Sequence, residues 1–261
     1  MSSQPTLTRL FTLILGSIAA LSLAACEATT PNAATSDVVD KVAFVDREQL
    51  TYELVNVQGD SLGTGVLAVR LEGTRFVLEQ HFEFEGSGDA GPSADKVTLA
   101  VDAETLRPFG GLREAAWVDR DGRTRSRVYD WEYDVDNDVA RLAYNSTVNG
   151  NSENGKLPLR QHYYDNESSL WLWRTLPFSE EFEGHYVSVN PLEGKQQTVK
   201  VQTPSTETIE VPAGTFEVWR LIVRNGRSLR SAWINIEAPH EVVQWDNGDV
   251  IFRLQRRELL D

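Results

Sequence analysis

Few residues in this chain are placed to do chemistry. Cys26 is the only cysteine among 261 residues, so no intramolecular disulfide can form and a single thiol is left for modification. The four histidines, His81, His162, His185 and His240, are scattered, without the HxH or HExxH spacing that puts two imidazoles on one zinc ion. Asp134, Asp136 and Asp138 imitate the first ligands of a calcium loop. Val139, however, stands where the sharp turn needs glycine, and Asn145 stands where a bidentate glutamate should close the shell, so the stretch reads as a solvated hairpin tip. The glycine-rich run Gly59-Asp60-Ser61-Leu62-Gly63-Thr64-Gly65 lacks a following helix and a phosphate-binding lysine, and reads as turns. No metal and no cofactor is expected. What remains is one modifiable thiol and several rows of large aromatic side chains.

The setting of the thiol is specific. Leu23-Ala24-Ala25-Cys26 closes an apolar run over residues 10–22 that follows a polar start with one cation, Arg9. A charged beginning, an apolar middle and small residues before a cut make an export signal, too short and too interrupted for a membrane span. The box resembles the processing site of exported bacterial lipoproteins. That resemblance implies a signal peptide over residues 1–25, diacylglycerol on the Cys26 sulfur, palmitate among its acyl groups, and a membrane anchor. Residues 27–37 carry no large apolar side chain, and residues 26–40 are expected to be a flexible tether. Glu27 replaces the aspartate that retains enteric lipoproteins at the inner membrane. The implied location is the bacterial envelope, at the outer membrane and facing the periplasm. In that setting the N-x-S/T sequons at Asn145 and Asn166 are incidental.

The formal charge is −14, and loss of residues 1–25 would remove one cation and no acid. Such a balance opposes contact with phosphate backbones, which excludes nucleic acid as a partner. It also means that the body would be repelled from an anionic membrane unless the acyl anchor held it there.

From residue 41 onward the pattern is that of strands, in one domain over residues 41–261. Residues 66–71 and 74–84 form a hairpin about Glu72-Gly73, where glycine supplies the positive backbone angle. In its second arm Phe76, Leu78, Phe82 and Phe84 share one face; Arg75, Glu79, His81 and Glu83 share the other; Gln80 alone breaks the pattern. Residues 112–118 and 124–135 make a second hairpin, with Tyr129, Trp131 and Tyr133 on one face, and Asp136-Asn137-Asp138 turns the chain into residues 139–148. One short helix is predicted over residues 166–174, capped by Asp165 or Asn166 and stopped by Pro177. Further strands follow near residues 185–190, 196–203, 206–211, 216–224, 229–236, 241–246 and 249–257, the last two joined through Asn247-Gly248.

The C-terminal half carries a resemblance. Glu210-Val211-Pro212-Ala213-Gly214-Thr215-Phe216-Glu217-Val218-Trp219, then Ala232-Trp233-Ile234 and Ala238-Pro239, with Tyr164-Asp165-Asn166-Glu167-Ser168-Ser169-Leu170 and Arg174-Thr175-Leu176-Pro177-Phe178 upstream, are similar to a family of bacterial envelope proteins known only as a domain of unknown function. The resemblance spans roughly residues 60–258. It implies a mainly β fold, a strongly curved antiparallel sheet or half-barrel with one short helix, comparable with the Lol-type lipoprotein carriers whose concave face shelters acyl chains. It brings no catalytic residues. Physically, Pro212 fixes one dihedral and Gly214 permits another, so the Val-Pro-Ala-Gly-Thr-Phe stretch is first of all a sharp turn between strands.

Three functional classes follow. The leading one is a membrane-anchored protein that binds or carries an apolar ligand, a lipid or an acylated protein, on a concave β face; Phe76, Phe82, Phe84, Trp131, Tyr133, Trp219 and Trp233 are its candidate contacts. The alternative is a structural lipoprotein that supports an outer-membrane assembly by engaging another envelope protein through a sheet edge or a surface patch. An enzyme is the least favoured class. With Cys26 reserved for lipid no thiol nucleophile is left, and nothing in the sequence positions a carboxylate pair.

Overall fold

The computed structural model describes residues 33–86, 91–136, 139–148, 150–226 and 228–260. The predicted signal peptide, Cys26 and the first part of the predicted tether lie outside the described residues. The fold is mainly β, as the alternating patterns predict. Along one wing run β1 (Glu48–Val55), β2 (Ser61–Glu72), β3 (Arg75–Phe84), β4 (Ser93–Asp102), β5 (Pro108–Val118), β6 (Thr124–Asp136), β7 (Val139–Val148) and β8 (Asn151–Pro158). The short β9 (Tyr163–Asp165) follows, then β10 (Phe182–Asn190), β11 (Lys195–Val211), β12 (Gly214–Asn225), β13 (Ser228–Asn235), β14 (Val242–Asp246) and β15 (Ile251–Leu259).

All fifteen belong to one sheet, in the order β8-β7-β6-β5-β4-β3-β2-β1-β15-β14-β13-β12-β11-β10-β9. Each wing is a meander, and the last strand joins them by pairing antiparallel with the first. Among the described residues only β9 and β10 run parallel. The two edge strands, β8 and β9, are consecutive in the chain and separated by residues 159–162 alone, which can span at most about 17 Å. A sheet whose edges are tethered so closely has to curl until they nearly meet. Across the gap Arg160 N–H donates to Gln196 Oε1 (2.9 Å), Arg160 Nη2 to Thr198 Oγ1 (2.8 Å) and Gln196 Nε2 to the Pro158 carbonyl (2.9 Å).

Local chemistry explains the turns. Glu72 faces Arg75 across a two-residue turn in which Gly73 adopts φ 64°. Val211 faces Gly214 across Pro212-Ala213, so the Val-Pro-Ala-Gly-Thr-Phe motif is the predicted strand-to-strand turn. Its tip folds back on the sheet, Ala213 N–H donating to the Leu254 carbonyl at 3.0 Å. Two expectations change. Residues 196–203 and 206–211 are one strand, β11, whose register shifts between Gln202 and Ser205; Pro204 lacks the N–H that a regular ladder needs, and a bulge absorbs it. Strand β8 carried no sequence signal, because it is an exposed edge with no apolar face to alternate.

The curl is filled from inside. After β9 the chain forms a turn of 3-10 helix (Asn166–Ser168), a single α-helical turn α1 (Ser169–Leu172) and another 3-10 turn (Trp173–Thr175). This matches the predicted helix in place but is barely one turn of regular α-helix. Asp165 caps it, its Oδ1 accepting from Glu167 N–H at 2.7 Å. Leu170, Trp171, Leu172, Trp173 and Arg174 are all buried, and each apolar side chain of this size contributes roughly 1.5–3 kcal/mol on burial. The plug is tied to both wings. Arg174 forms an ion pair with Glu48 of β1 (2.6 and 3.0 Å) and donates to the Pro239 and His240 carbonyls; Trp173 Nε1 donates to Tyr186 Oη of β10 at 3.2 Å.

The body also begins earlier than the tether expectation allows. Val38 is 4 % exposed within the core, Ser36 N–H donates to the His185 carbonyl, and Asp40 N–H donates to the Thr175 carbonyl. Asp37 supplies the reason: its carboxylate meets Arg107, His162 Nδ1 (3.0 Å) and Tyr164 Oη (3.4 Å). Partial burial raises its pKa, and the His162 hydrogen bond and Arg107 charge more than offset that, holding it below the usual carboxylate value. Residues 36–40 are therefore a strap on the body.

Candidate functional site

The curled sheet leaves room at one end of its interior. A cavity of about 430 Å³ opens between the end of β3, the β4–β5 strands, the plug and the β10–β15 wall. Its size falls in the range that takes small ligands. One side is aromatic and aliphatic: Phe82, Phe84, Leu170, Trp173, Trp245 and Phe252. Trp245 packs on Phe252 with ring centroids 4.5 Å apart, Phe82 meets the same ring edge-on at 5.3 Å, and Trp173 meets Trp245 at 6.3 Å. Phe82 lies across Gly65, its cross-strand partner on β2; a Cβ there would come within 2.8 Å of the ring. The glycine thus sets the tilt of a cavity-lining aromatic.

The facing side is polar. Arg113 of β5 binds Asp95 of β4 through Nε (2.9 and 3.1 Å) and Nη2, and reaches Glu167 of the plug through Nη1 at 3.4 Å. Burial works against the guanidinium charge, but Asp95 and Glu167 outweigh it and raise the Arg113 pKa. Burial likewise pushes Glu167 up, Asp95 adding to the shift and Arg113 opposing it. Gln80, the residue that breaks the apolar face of β3, turns inward, lines the cavity and donates to the Glu167 carbonyl.

A third carboxylate nearby does not line the cavity. Asp165 is 1 % exposed and accepts from Trp131 Nε1 (2.8 Å), Tyr133 Oη (2.8 Å) and Glu167 N–H (2.7 Å). Desolvation and the neighbouring Glu167 charge raise its pKa to about 7 against the pull of those three donors. With its donors in place, Asp165 ties β6 to the plug and works as an anchor. The same bonds hold Glu167 where it meets Arg113.

The seven candidate contacts are not brought together. Phe82 and Phe84 line the cavity. Phe76, near the start of β3, is buried against Phe44 at 5.4 Å. Trp131 and Tyr133 serve Asp165. Trp219 is half-buried and stacks on Phe178 at 6.2 Å, and Trp233 donates from Nε1 to Glu207. None of these five lines the cavity. Sequence reasoning missed Arg113, Glu167, Arg230, Trp245 and Phe252, which converge from separate strands and the plug; only the inward Gln80 gave a signal in advance.

Sequence reasoning also missed that Gly59-Asp60-Ser61-Leu62-Gly63 has the letter spacing of a serine nucleophile elbow. Ser61 is exposed, opens β2 and is followed by a strand, whereas an elbow needs a strand-to-helix turn with a base at the serine. Asn56 ties this loop instead, its Oδ1 accepting from Gln58 and Asp60 N–H at 2.9 Å each. Among the described residues no group of three or more histidines and acids is placed to hold a metal ion.

The comparisons with known proteins agree with the architecture. The crystal structure of a β-barrel-like protein of the domain of unknown function DUF1849 from Brucella abortus superposes with a TM-score of 0.53, covering 87 % of this chain and 100 % of that one at 9 % identity. At that identity the likeness concerns the fold alone. No curated protein matches this chain. The family model for proteins of unknown function DUF3108 matches residues 49–248, most of the sheet and the whole of the plug. The chain belongs to the DUF3108 family.

Proposed function

We propose that this protein is a lipid-anchored envelope protein that holds an apolar or amphipathic ligand in the cavity at the open end of its curled sheet, binding it without catalysis. The observation that carries the reading is the two-sided cavity of about 430 Å³, aromatic on one side and polar on the other. An apolar surface joined to a few convergent polar groups in a pocket of this size is the usual form of a small-ligand site. The sequence motifs imply a half-barrel comparable with the Lol-type carriers, and that expectation favours the same reading. The apolar side here comes from Phe82, Phe84, Trp245 and Phe252 rather than from most of the residues singled out in the sequence.

Titration of the domain with a fluorescent fatty-acid probe is expected to give saturable one-to-one binding. Val223→Trp, which pushes a large ring into the cavity from β12, should weaken it at least ten-fold, and Trp219→Ala, outside the lining, should leave it unchanged. No binding by the intact domain across several lipid classes would remove this reading. The structural-lipoprotein alternative would then lead, with the exposed edge strand β8 as the place for a partner strand.

The anchor rests on Leu23-Ala24-Ala25-Cys26. Cys26→Ser is expected to abolish metabolic labelling by palmitate and to release the protein from the membrane fraction. Labelling equal to that of the native chain would refute the anchor. An outer-membrane position facing the periplasm is the location this reading takes, from Glu27 after the lipidated residue.

A further inference from the structure

Buried side-chain polar atoms in folded proteins nearly always have partners, so the exceptions carry information. Among the described residues they are Thr51 Oγ1, Arg127 Nε, Asn225 Oδ1, Arg230 Nε and Trp245 Nε1. Three of the five, on Asn225, Arg230 and Trp245, line the one cavity described above. They come from adjacent strands: Arg230 of β13 faces Val223 of β12, two residues from Asn225, and Ala232 of β13 faces Trp245 of β14. Alternation puts Arg230 and Ala232 on the same inward face. Two unused donors and one unused acceptor are therefore gathered on one wall, beside the Trp245–Phe252 aromatic pair.

Arg230 is also the cation without a carboxylate. Across the cavity Arg113 is held by Asp95 and Glu167, whereas no acid reaches Arg230 among the described residues. In a chain of formal charge −14, acids to pair with it are abundant, yet none of the described ones does. On one side of the cavity, then, the arginine is already engaged by two carboxylates, and on the other Arg230 has no acid partner among the described residues.

We infer that the ligand carries an anionic headgroup on an acyl chain, with the head seated on Arg230 and Trp245 Nε1 and the chain against the Phe82–Phe252 side. This inference rests on the cavity-binding reading above and names the chemical class of its ligand. A guanidinium and an indole N–H presented together suit a carboxylate or phosphate oxygen, because a charge-assisted bond gains most where water is excluded. Asn225 Oδ1 is the complementary acceptor for a hydroxyl or amide proton on the same head. A neutral alcohol or ester would leave the Arg230 charge uncompensated in a half-buried site.

The test compares oleate, oleyl alcohol and oleoyl lysophosphatidate as displacers of a fluorescent fatty-acid probe from the native domain and from Arg230→Gln and Arg230→Lys. The anions are expected to bind the native domain at least ten-fold more tightly than the alcohol. Arg230→Gln should remove most of that preference; Arg230→Lys, which keeps a charge but loses the fork, should retain part of it. The ratio of lysophosphatidate to oleate affinity tells a phospholipid head from a free fatty acid. Equal binding of anion and alcohol by the native domain would overturn the inference while leaving the cavity reading intact, and this arm needs no variant to fold. Binding of none of the three would overturn both.

Discussion

Replacing Arg174 with Met is expected to cost about 3–5 kcal/mol of folding stability, the range for removing one partner of a buried ion pair. The side chain is 1 % exposed and uses Nη1 and Nη2 on Glu48, Nε on the His240 carbonyl and Nη2 again on the Pro239 carbonyl. Its guanidinium also stands 4.9 Å from the Phe44 ring centre. Methionine would fill much of the volume, leaving Glu48 as a lone charge with 6 % of its side chain exposed and two carbonyls without their donor. Most of the loss should therefore come from the orphaned Glu48. The double replacement Glu48→Leu with Arg174→Met is expected to recover a large part of it, since two apolar groups of similar size often substitute for a buried pair. Urea unfolding followed by tryptophan fluorescence measures both. A single-variant loss below about 1 kcal/mol would mean that the plug is held by packing and that the ion pair is incidental.

The contrast between strands and site follows from how local each signal is. The β2–β3 and β11–β12 turns were legible because glycine and proline impose backbone angles on their immediate neighbours, and the inward face of β3 because period two is a local property. Edge strand β8 was not, since exposure erases alternation. The plug was legible as a helix but not as the filling of a curled sheet; Leu170, Trp171, Leu172 and Trp173 are apolar in an unbroken run because walls surround them. Trp131 and Tyr133 were correctly placed on one inward face, yet an inward face is shared by core and cavity, and only the three-dimensional position of Asp165 decides between them. The cavity draws on strands far apart in sequence, and no spacing rule connects Gln80, Arg113, Arg230 and Trp245. A better guide was available in the exceptions: Gln80 on an apolar face, and Arg230 on the face that continues to Ala232 and Ile234, are polar residues at inward positions. A buried polar group needs a partner, so such breaks point to a site more directly than aromatic rows do.

Trp131 supplies the second large effect. Its indole is 2 % exposed and lies across Gly111, its cross-strand partner on β5, where a Cβ would come within 2.5 Å of the ring. Trp131→Ala empties that space and is expected to cost about 3–5 kcal/mol, as for a large aromatic in a packed core. The cost should also depend on pH, because Nε1 donates to Asp165. In the native fold Asp165 has a pKa of about 7, raised from 3.8. A raised acid contributes stability that is complete below its unfolded pKa and is lost as pH rises through the folded one, so this contribution declines between about pH 4 and pH 7 and is flat above. The Nε1–H bond favours the carboxylate over the acid; without it the Asp165 pKa should rise further and the decline should run past pH 7. Trp131→Ala is then more damaging at pH 8 than at pH 5, whereas cavity formation alone gives the same loss at both. Asp165→Asn in the same background should remove the difference. An equal loss at the two pH values would show that Asp165 is ionised independently of its indole partner, and the anchoring role given to that hydrogen bond would have to be abandoned.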